Sequence, residues 1–287
     1  MHKQTVKSLP LEGRRILNTR TYEQAGALSS LLSDLGAIPV EFPTIRIVAP
    51  KDWEPLDSAL KRLCKADWYD WLVFTSANGV QNFFERLIKL GYYVESFNNV
   101  RIAAIGPATS MALAKYGAKV DLVPDTYIAE AVAAALIEDV RKRGASLEGK
   151  RVLLARAAEA RNVLIHELQR AGVEVDVVAA YRTIGIDKEC EPGQMILRKL
   201  EAEELDIITF TSSSTVRNFM QWLMEYDAKF TESFIRRVVE FAHPKIACIG
   251  PITSQTAREC GLKVHIDARV YTITGLVEAI IRNEVKV

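Results

Sequence analysis

The chain carries a long internal repeat. Leu11-Glu12-Gly13-Arg14-Arg15-Ile16-Leu17 returns as Leu147-Glu148-Gly149-Lys150-Arg151-Val152-Leu153, and Phe74-Thr75-Ser76 returns as Phe210-Thr211-Ser212, both shifted by roughly 136 residues. Ile105-Gly106-Pro107-Ala108-Thr109 returns as Ile249-Gly250-Pro251-Ile252-Thr253 about 144 residues on, so a loop has grown between the two points. At 287 residues, each copy is large enough for its own core. Short apolar runs alternate with amphipathic helical stretches, the pattern of βαβ units. The expected fold is α/β, with two similar five-stranded parallel-sheet domains of flavodoxin-like type joined by a two-stranded extended linker.

Strands are expected at Arg15–Thr19, Ile38–Phe42, Trp71–Thr75, Arg101–Ile105, Lys119–Val123, Arg151–Ala155, Glu174–Ala179, Asp206–Thr211, Lys245–Ile249 and Lys263–Ile266. Two segments, Pro39–Val48 and Val175–Ile184, are unusually long for strands of one sheet. They imply crossovers at 39–48 and 176–185. Domain one then comprises 1–43 and 185–287, and domain two 48–178. A split near Ser146 into two contiguous domains is the competing arrangement, but it leaves those long stretches unexplained.

Charge gives little direction: 37 Lys and Arg stand against 36 Asp and Glu, with no bias toward nucleic acid or a membrane surface. The N-terminus lacks the apolar run of a signal peptide, and Cys64, Cys190, Cys248 and Cys260 share no C-x-x-C spacing. Both features point to a reducing cytoplasm. Cys248, in an apolar run, is expected to be a buried small hydrophobe.

In open α/β sheets ligands bind beyond the carboxyl ends of the strands. The turns expected there are rich in hydroxyls: Thr75-Ser76-Ala77-Asn78-Gly79, Thr211-Ser212-Ser213-Ser214-Thr215, Gly106-Pro107-Ala108-Thr109-Ser110 and Gly250-Pro251-Ile252-Thr253-Ser254. A hydroxyl beside the free N–H groups of a helix start is an anion site as well as a cap. Four such turns at one kind of edge favour a polyanion held in a cleft between two domains. Arg20 and Arg156 end the first strands of their copies, and Arg161 is expected to begin the next helix; each suits a carboxylate or a rim salt bridge. Arg14, Arg15, Lys150 and Arg151 start strands and read as solvated charge. No G-x-S-x-G elbow, dinucleotide fingerprint, P-loop or metal-ligand spacing occurs, so no cofactor is expected.

Taken together, Phe210-Thr211-Ser212-Ser213-Ser214, Ile249-Gly250-Pro251-Ile252-Thr253, Tyr181-Arg182-Thr183 and the two-copy order resemble the uroporphyrinogen-III synthase family. The resemblance implies dehydrative closure of hydroxymethylbilane, a linear tetrapyrrole with eight carboxylates, to uroporphyrinogen III with inversion of ring D through a spiro intermediate. It implies catalytic roles for Tyr181 and Thr253. Substrate binding falls to Arg20, Thr75, Ser76, Ala77, Thr109, Arg156, Arg161, Thr211, Ser212, Ser213, Ser214, Gly250, Pro251 and Ile252. It also implies the small-molecule substrate as partner, with transient contact to the upstream hydroxymethylbilane-forming enzyme, and no nucleic acid or membrane. Some members carry glycines where this chain reads Ala157-Ala158-Glu159-Ala160, a loop expected to bind carboxylates less well because Glu159 adds like charge. The rival readings are a cytoplasmic two-lobed polyanion-binding protein without turnover and a nucleotide-dependent transferase.

Overall fold

The computed structural model describes residues 9–65, 68–97, 99–186, 191–227 and 243–285, so Cys190 and the extreme N-terminus lie outside the described residues. The chain divides into two compact units, residues 1–46 with 184–287 and residues 47–183.

The first unit holds β1 (Arg15–Asn18), α1 (Tyr22–Asp34) and β2 (Ile38–Glu41). After the second unit come α7 (Glu191–Glu201), β8 (Ile207–Phe210), α8 (Ser213–Asp227) and β9 (Lys245–Cys248). α9 (Pro251–Glu259), β10 (Val264–Asp267) and α10 (Ile273–Glu284) complete it. The second unit contains α2 (Glu54–Cys64), β4 (Trp71–Phe74), α3 (Ala77–Lys89), β5 (Arg101–Ala104), α4 (Pro107–Lys115), α5 (Ala129–Lys142), β6 (Arg151–Ala157) and α6 (Val163–Arg170). β3 (Ile45–Val48) and β7 (Glu174–Gly185) span the two points at which the chain passes between units.

Two five-stranded sheets result, in the orders β10-β9-β8-β1-β2 and β3-β7-β6-β4-β5. The first is parallel throughout. The second is mixed, not wholly parallel as expected, and its fifth strand is β3. Segment 119–123 forms only an isolated bridge, Ala103 with Leu122. Its Asp121 explains why: the carboxylate accepts the Ile102 N–H at 2.9 Å and so replaces a ladder carbonyl. At the matching point of the other unit the Nδ1 of His265 accepts the Ile246 N–H at 3.1 Å, and the β9–β10 register slips there. The expected continuous stretch 39–48 is also broken, because Pro43 has no N–H and the Thr44 hydroxyl donates to main-chain carbonyls instead.

Each sheet is buried on both faces, as helices on either side require. Leu72 and Phe74 point into one cluster with Val80 and Phe84, whereas Trp71 and Val73 point into another with Val132 and Leu164. Leu17 and Ile16 divide the same way in the first unit. Cys248 is fully buried, and burial pushes its thiol up to about 12. The strand-starting cations are more engaged than solvated charge: Lys150 and Arg14 pair with Asp70 and Asp206. Those two carboxylates also accept the N–H groups of Arg151 and Arg15.

Two glycines give opposite expectations. Gly26, exposed inside α1, has open space around it, so Gly26→Ala should raise stability by about 0.5–1 kcal/mol. A Cβ on Gly275 would lie 2.1 Å from the Val270 carbonyl oxygen, so Gly275→Ala should cost about 1–3 kcal/mol. Denaturant unfolding of the two variants checks both signs.

Candidate functional site

Turns after parallel strands gather at one sheet edge, and the opening for a ligand falls where successive connections depart in opposite directions. In the second unit that point lies between β4 and β6, beside Thr75-Ser76-Ala77 and the loop from Ala158 to Asn162. In the first unit it lies between β1 and β8, beside Arg20 and Thr211–Ser214.

Ser76 caps α3 in the second unit: its Oγ accepts the Gly79 N–H at 3.0 Å. The same oxygen lies 3.0 Å from the phenol oxygen of Tyr181, on β7, which lies beyond β6 in the sheet. Asn78 adds a second polar contact to the phenol. The fold aims Tyr181 at this turn through a bulge. Arg156 pairs with Ala179 but Ala157 pairs with Tyr181, so β7 carries one extra residue. Ala180 and Tyr181 consequently both face the core that contains Phe74 and Val80, against the ordinary alternation of a strand. Tyr181 is only 7% exposed. Burial, and then the nearby Glu159 charge, raise its phenol above the ordinary value, against the lowering hydrogen bonds of Ser76 and Asn78. The phenol is thus buried, protonated at neutral pH and hydrogen-bonded at the cap of α3.

Arg156, buried at the end of β6, donates to the Arg161 carbonyl at 2.6 Å and to Asn162 Oδ1 at 2.7 Å. Among the described residues no carboxylate lies within salt-bridge distance of it. Burial lowers its pKa, yet a guanidinium remains charged at neutral pH. Arg161 precedes α6 rather than beginning it, and its guanidinium lies 3.7 Å from Glu130. The carbonyl of one arginine thus helps hold the other, but the two guanidiniums take different partners.

Arg20 in the first unit donates to the Gln24 carbonyl and to Gln24 Oε1, both at 3.0 Å, folded back on its own helix. Burial lowers its pKa as well. At the start of α8, Ser212 Oγ accepts the Thr215 N–H at 3.2 Å and lies 3.0 Å from Ser214 Oγ. Thr256 Oγ1 donates to Ser213 Oγ at 2.8 Å and reaches the Ile252 carbonyl at 3.0 Å. This link joins the Thr211–Ser214 turn to the Gly250-Pro251-Ile252-Thr253 turn.

Thr109 and Thr253 occupy matching third positions of α4 and α9. Their residues are 3% and 5% exposed, and neither side chain makes a hydrogen bond among the described residues. The Ser76, Ser212, Ser213, Ser214 and Thr215 hydroxyls are engaged, whereas those of Thr75 and Thr211, like this pair, make no hydrogen bond among the described residues. Sequence reasoning passed over Asn78, Thr256, and the tyrosines that lie over the Gly-Pro turns. A Cβ on Gly106 would meet the Tyr127 ring at 2.9 Å, and one on Gly250 the Tyr271 ring at 3.0 Å. Both tyrosines stand at the shift of the Gly-Pro turns, so the repeat itself carried that signal. No cluster of His, Cys, Asp or Glu suited to a metal ion occurs among the described residues, and no described helix is long and apolar enough to cross a membrane.

A family model described as Uroporphyrinogen-III synthase HemD matches residues 26–278. The chain belongs to the uroporphyrinogen-III synthase family. It is 35% identical to a uroporphyrinogen-III synthase of Synechococcus elongatus, over 94% of this chain and 96% of that protein. A putative uroporphyrinogen-III synthase of Methanocaldococcus jannaschii is 32% identical over 93% of this chain and 97% of its own length. A crystal structure of a mutant uroporphyrinogen III synthase from Thermus thermophilus shares the fold, with a TM-score of 0.62 and 18% identity over 94% of this chain and 98% of that one.

The raised phenol has a direct test. Difference absorbance between wild type and Tyr181→Phe in an alkaline titration should show Tyr181 ionising above the ordinary value of about 10. The unfolded chain loses that proton first, so the phenol's contribution to stability is whole below pH ~10 and is lost as pH climbs to the folded value. Ionisation below 10 would contradict the buried arrangement.

Proposed function

We propose that this protein is a uroporphyrinogen-III synthase, closing hydroxymethylbilane to uroporphyrinogen III with loss of water and inversion of ring D. The family match over residues 26–278 carries the reading. The two units, taken as domains 1–43 with 185–287 and 48–178, act as flavodoxin-like holders of the substrate's carboxylates, with 39–48 and 176–185 as crossovers.

The chemistry starts at the hydroxymethyl group. Its C–O bond breaks as the oxygen takes a proton and leaves as water, and the remaining azafulvene cation attacks the substituted carbon of the terminal ring. The spiro product fragments and recloses with that ring inverted, and loss of a proton restores the pyrrole. Tyr181 is the group we assign to the departing oxygen. Either hydroxyl of the Ser76–Tyr181 pair can donate; in the arrangement we assign, Ser76 donates into the phenol oxygen and the phenol's own proton goes to the substrate. The substrate supplies the reactive carbons, so the remaining task is orientation of one folded conformer. Thr253 and Thr109, whose hydroxyls are not spent within the described protein, suit a carboxylate or pyrrole N–H. The turn residues Thr75, Ser76, Ala77, Thr211, Ser212, Ser213, Ser214, Gly250, Pro251 and Ile252 offer helix-start N–H groups and hydroxyls to further carboxylates, each such end worth about 0.3–1 kcal/mol. Arg20, Arg156 and Arg161 add positive charge at the same sheet edges.

Freshly prepared hydroxymethylbilane, quenched, oxidised and separated into type I and type III uroporphyrin, decides the activity. Unaided closure gives type I, so rapid type III formation is the expected result, and type I at the blank rate would leave a polyanion-binding protein. For Thr253→Ala, turnover should fall by about tenfold while the melting temperature holds, because the hydroxyl supports no contact in the described fold. A variant that loses stability and keeps its specific activity would make Thr253 a purely structural residue.

A further inference from the structure

β6 ends at Ala157, yet β7 runs on to Gly185, so the main chain of β7 past Tyr181 has no strand beside it on the β6 side. The loop after β6 takes over. The Ala158 N–H donates to the Tyr181 carbonyl at 3.0 Å. Glu159 Oε2 accepts the Thr183 N–H at 3.1 Å, and its Oε1 lies 3.8 Å from Arg182 Nε. Consecutive residues of the loop therefore grip the main chain on both sides of Arg182, directly after the bulge that turns Tyr181 inward. The Glu159 side chain is half exposed, with its carboxylate engaged by the β7 main chain. The carboxylate thus has partners on the strand, and its charge also acts on the Tyr181 phenol.

The geometry points to Glu159 as a positioning residue for Tyr181, holding the phenol at Ser76 by clamping the β7 main chain beyond the bulge. This rests on the role assigned to Tyr181 above. A bulge leaves a strand short of ladder bonds and free to slip by one residue, and a slip would turn the phenol to the other face. Burial and the Glu159 charge also keep the phenol protonated, in keeping with a donor. Alanine at 159 removes the acceptor for Thr183 together with the contact to Arg182. Glutamine keeps an oxygen for that N–H.

Steady-state turnover of hydroxymethylbilane by wild type, Tyr181→Phe, Glu159→Ala, Glu159→Gln and the double variant Tyr181→Phe with Glu159→Ala tests this, with circular dichroism to verify folding. Glu159→Ala should lower kcat by about tenfold with little change in KM, and Glu159→Gln should restore most of it. The double variant should be no slower than Tyr181→Phe, since the clamp acts only through the phenol. Impaired Tyr181→Phe with unimpaired Glu159→Ala overturns the inference alone, as does a double variant in which the two losses multiply. Glu159→Gln as slow as Glu159→Ala overturns the clamp through Thr183. Unchanged turnover by Tyr181→Phe overturns the role of the phenol itself, and that of Glu159 with it.

Discussion

Each unit depends on one parallel pairing between strands far apart in sequence, β4 with β6 and β1 with β8. Trp71 to Phe74 lie against Val152 to Ala155, and Ile16 to Asn18 against Ile207 to Thr209. These central strands are buried on both faces, so a slip of one residue would move every side chain into the wrong helix layer. Fixing that pair also fixes where the connections diverge. The turns that follow then have nowhere to go but one edge, and the hydroxyls in them become neighbours without any need for sequence proximity.

A reaction whose substrate brings its own nucleophile and leaving group asks two things of a protein: a held conformation and a proton at the right oxygen. A carboxylic acid could give the proton, but it would have to be kept neutral among carboxylates of the substrate. A phenol is neutral at physiological pH from the outset, and burial only strengthens that. In the role proposed for it, Tyr181 meets the requirement at low structural cost, because its single polar atom is satisfied by Ser76, which is already fixed by capping α3. The cap and the phenol support one another: the serine that ends the α3 turn also orients the ring.

Much of this was legible in the amino-acid sequence. The repeat, the strand cores and the hydroxyl-rich turns follow from period, apolar runs and cap residues, all local signals. What escaped were features set by one side chain replacing a main-chain group. Asp121 and His265 each accept an N–H that a strand carbonyl would have taken, so segment 119–123 failed to become a strand and β10 slipped register. The arginines were recognised as cations at sheet edges, but their partners were not, since Gln24 for Arg20 and Asn162 for Arg156 are neutral groups within six residues. The pairing of Ser76 with Tyr181 spans 105 residues and depends on a bulge that no periodicity announces.

The two copies also differ at matching turns of the duplicated scaffold. Ser76 and Ser212 are repeat partners, yet only Ser76 meets a phenol; Ser212 turns to Ser214 and Thr215. The difference lies in the strand beside each turn. In the second unit β7 continues through its bulge and brings Tyr181 over the cap. In the first, the corresponding stretch stops at Pro43, and Thr44 is pinned by the main-chain carbonyls of Thr19 and Thr215. The shift of roughly 136 residues sets Ile45, an aliphatic residue, against Tyr181. One copy thus closes its edge with hydrogen bonds to main-chain carbonyls, while the other places a phenol at its cap. In the second arrangement β7 runs on past the end of β6, and the Ala158 N–H and the Glu159 carboxylate take up main-chain groups left open on that side.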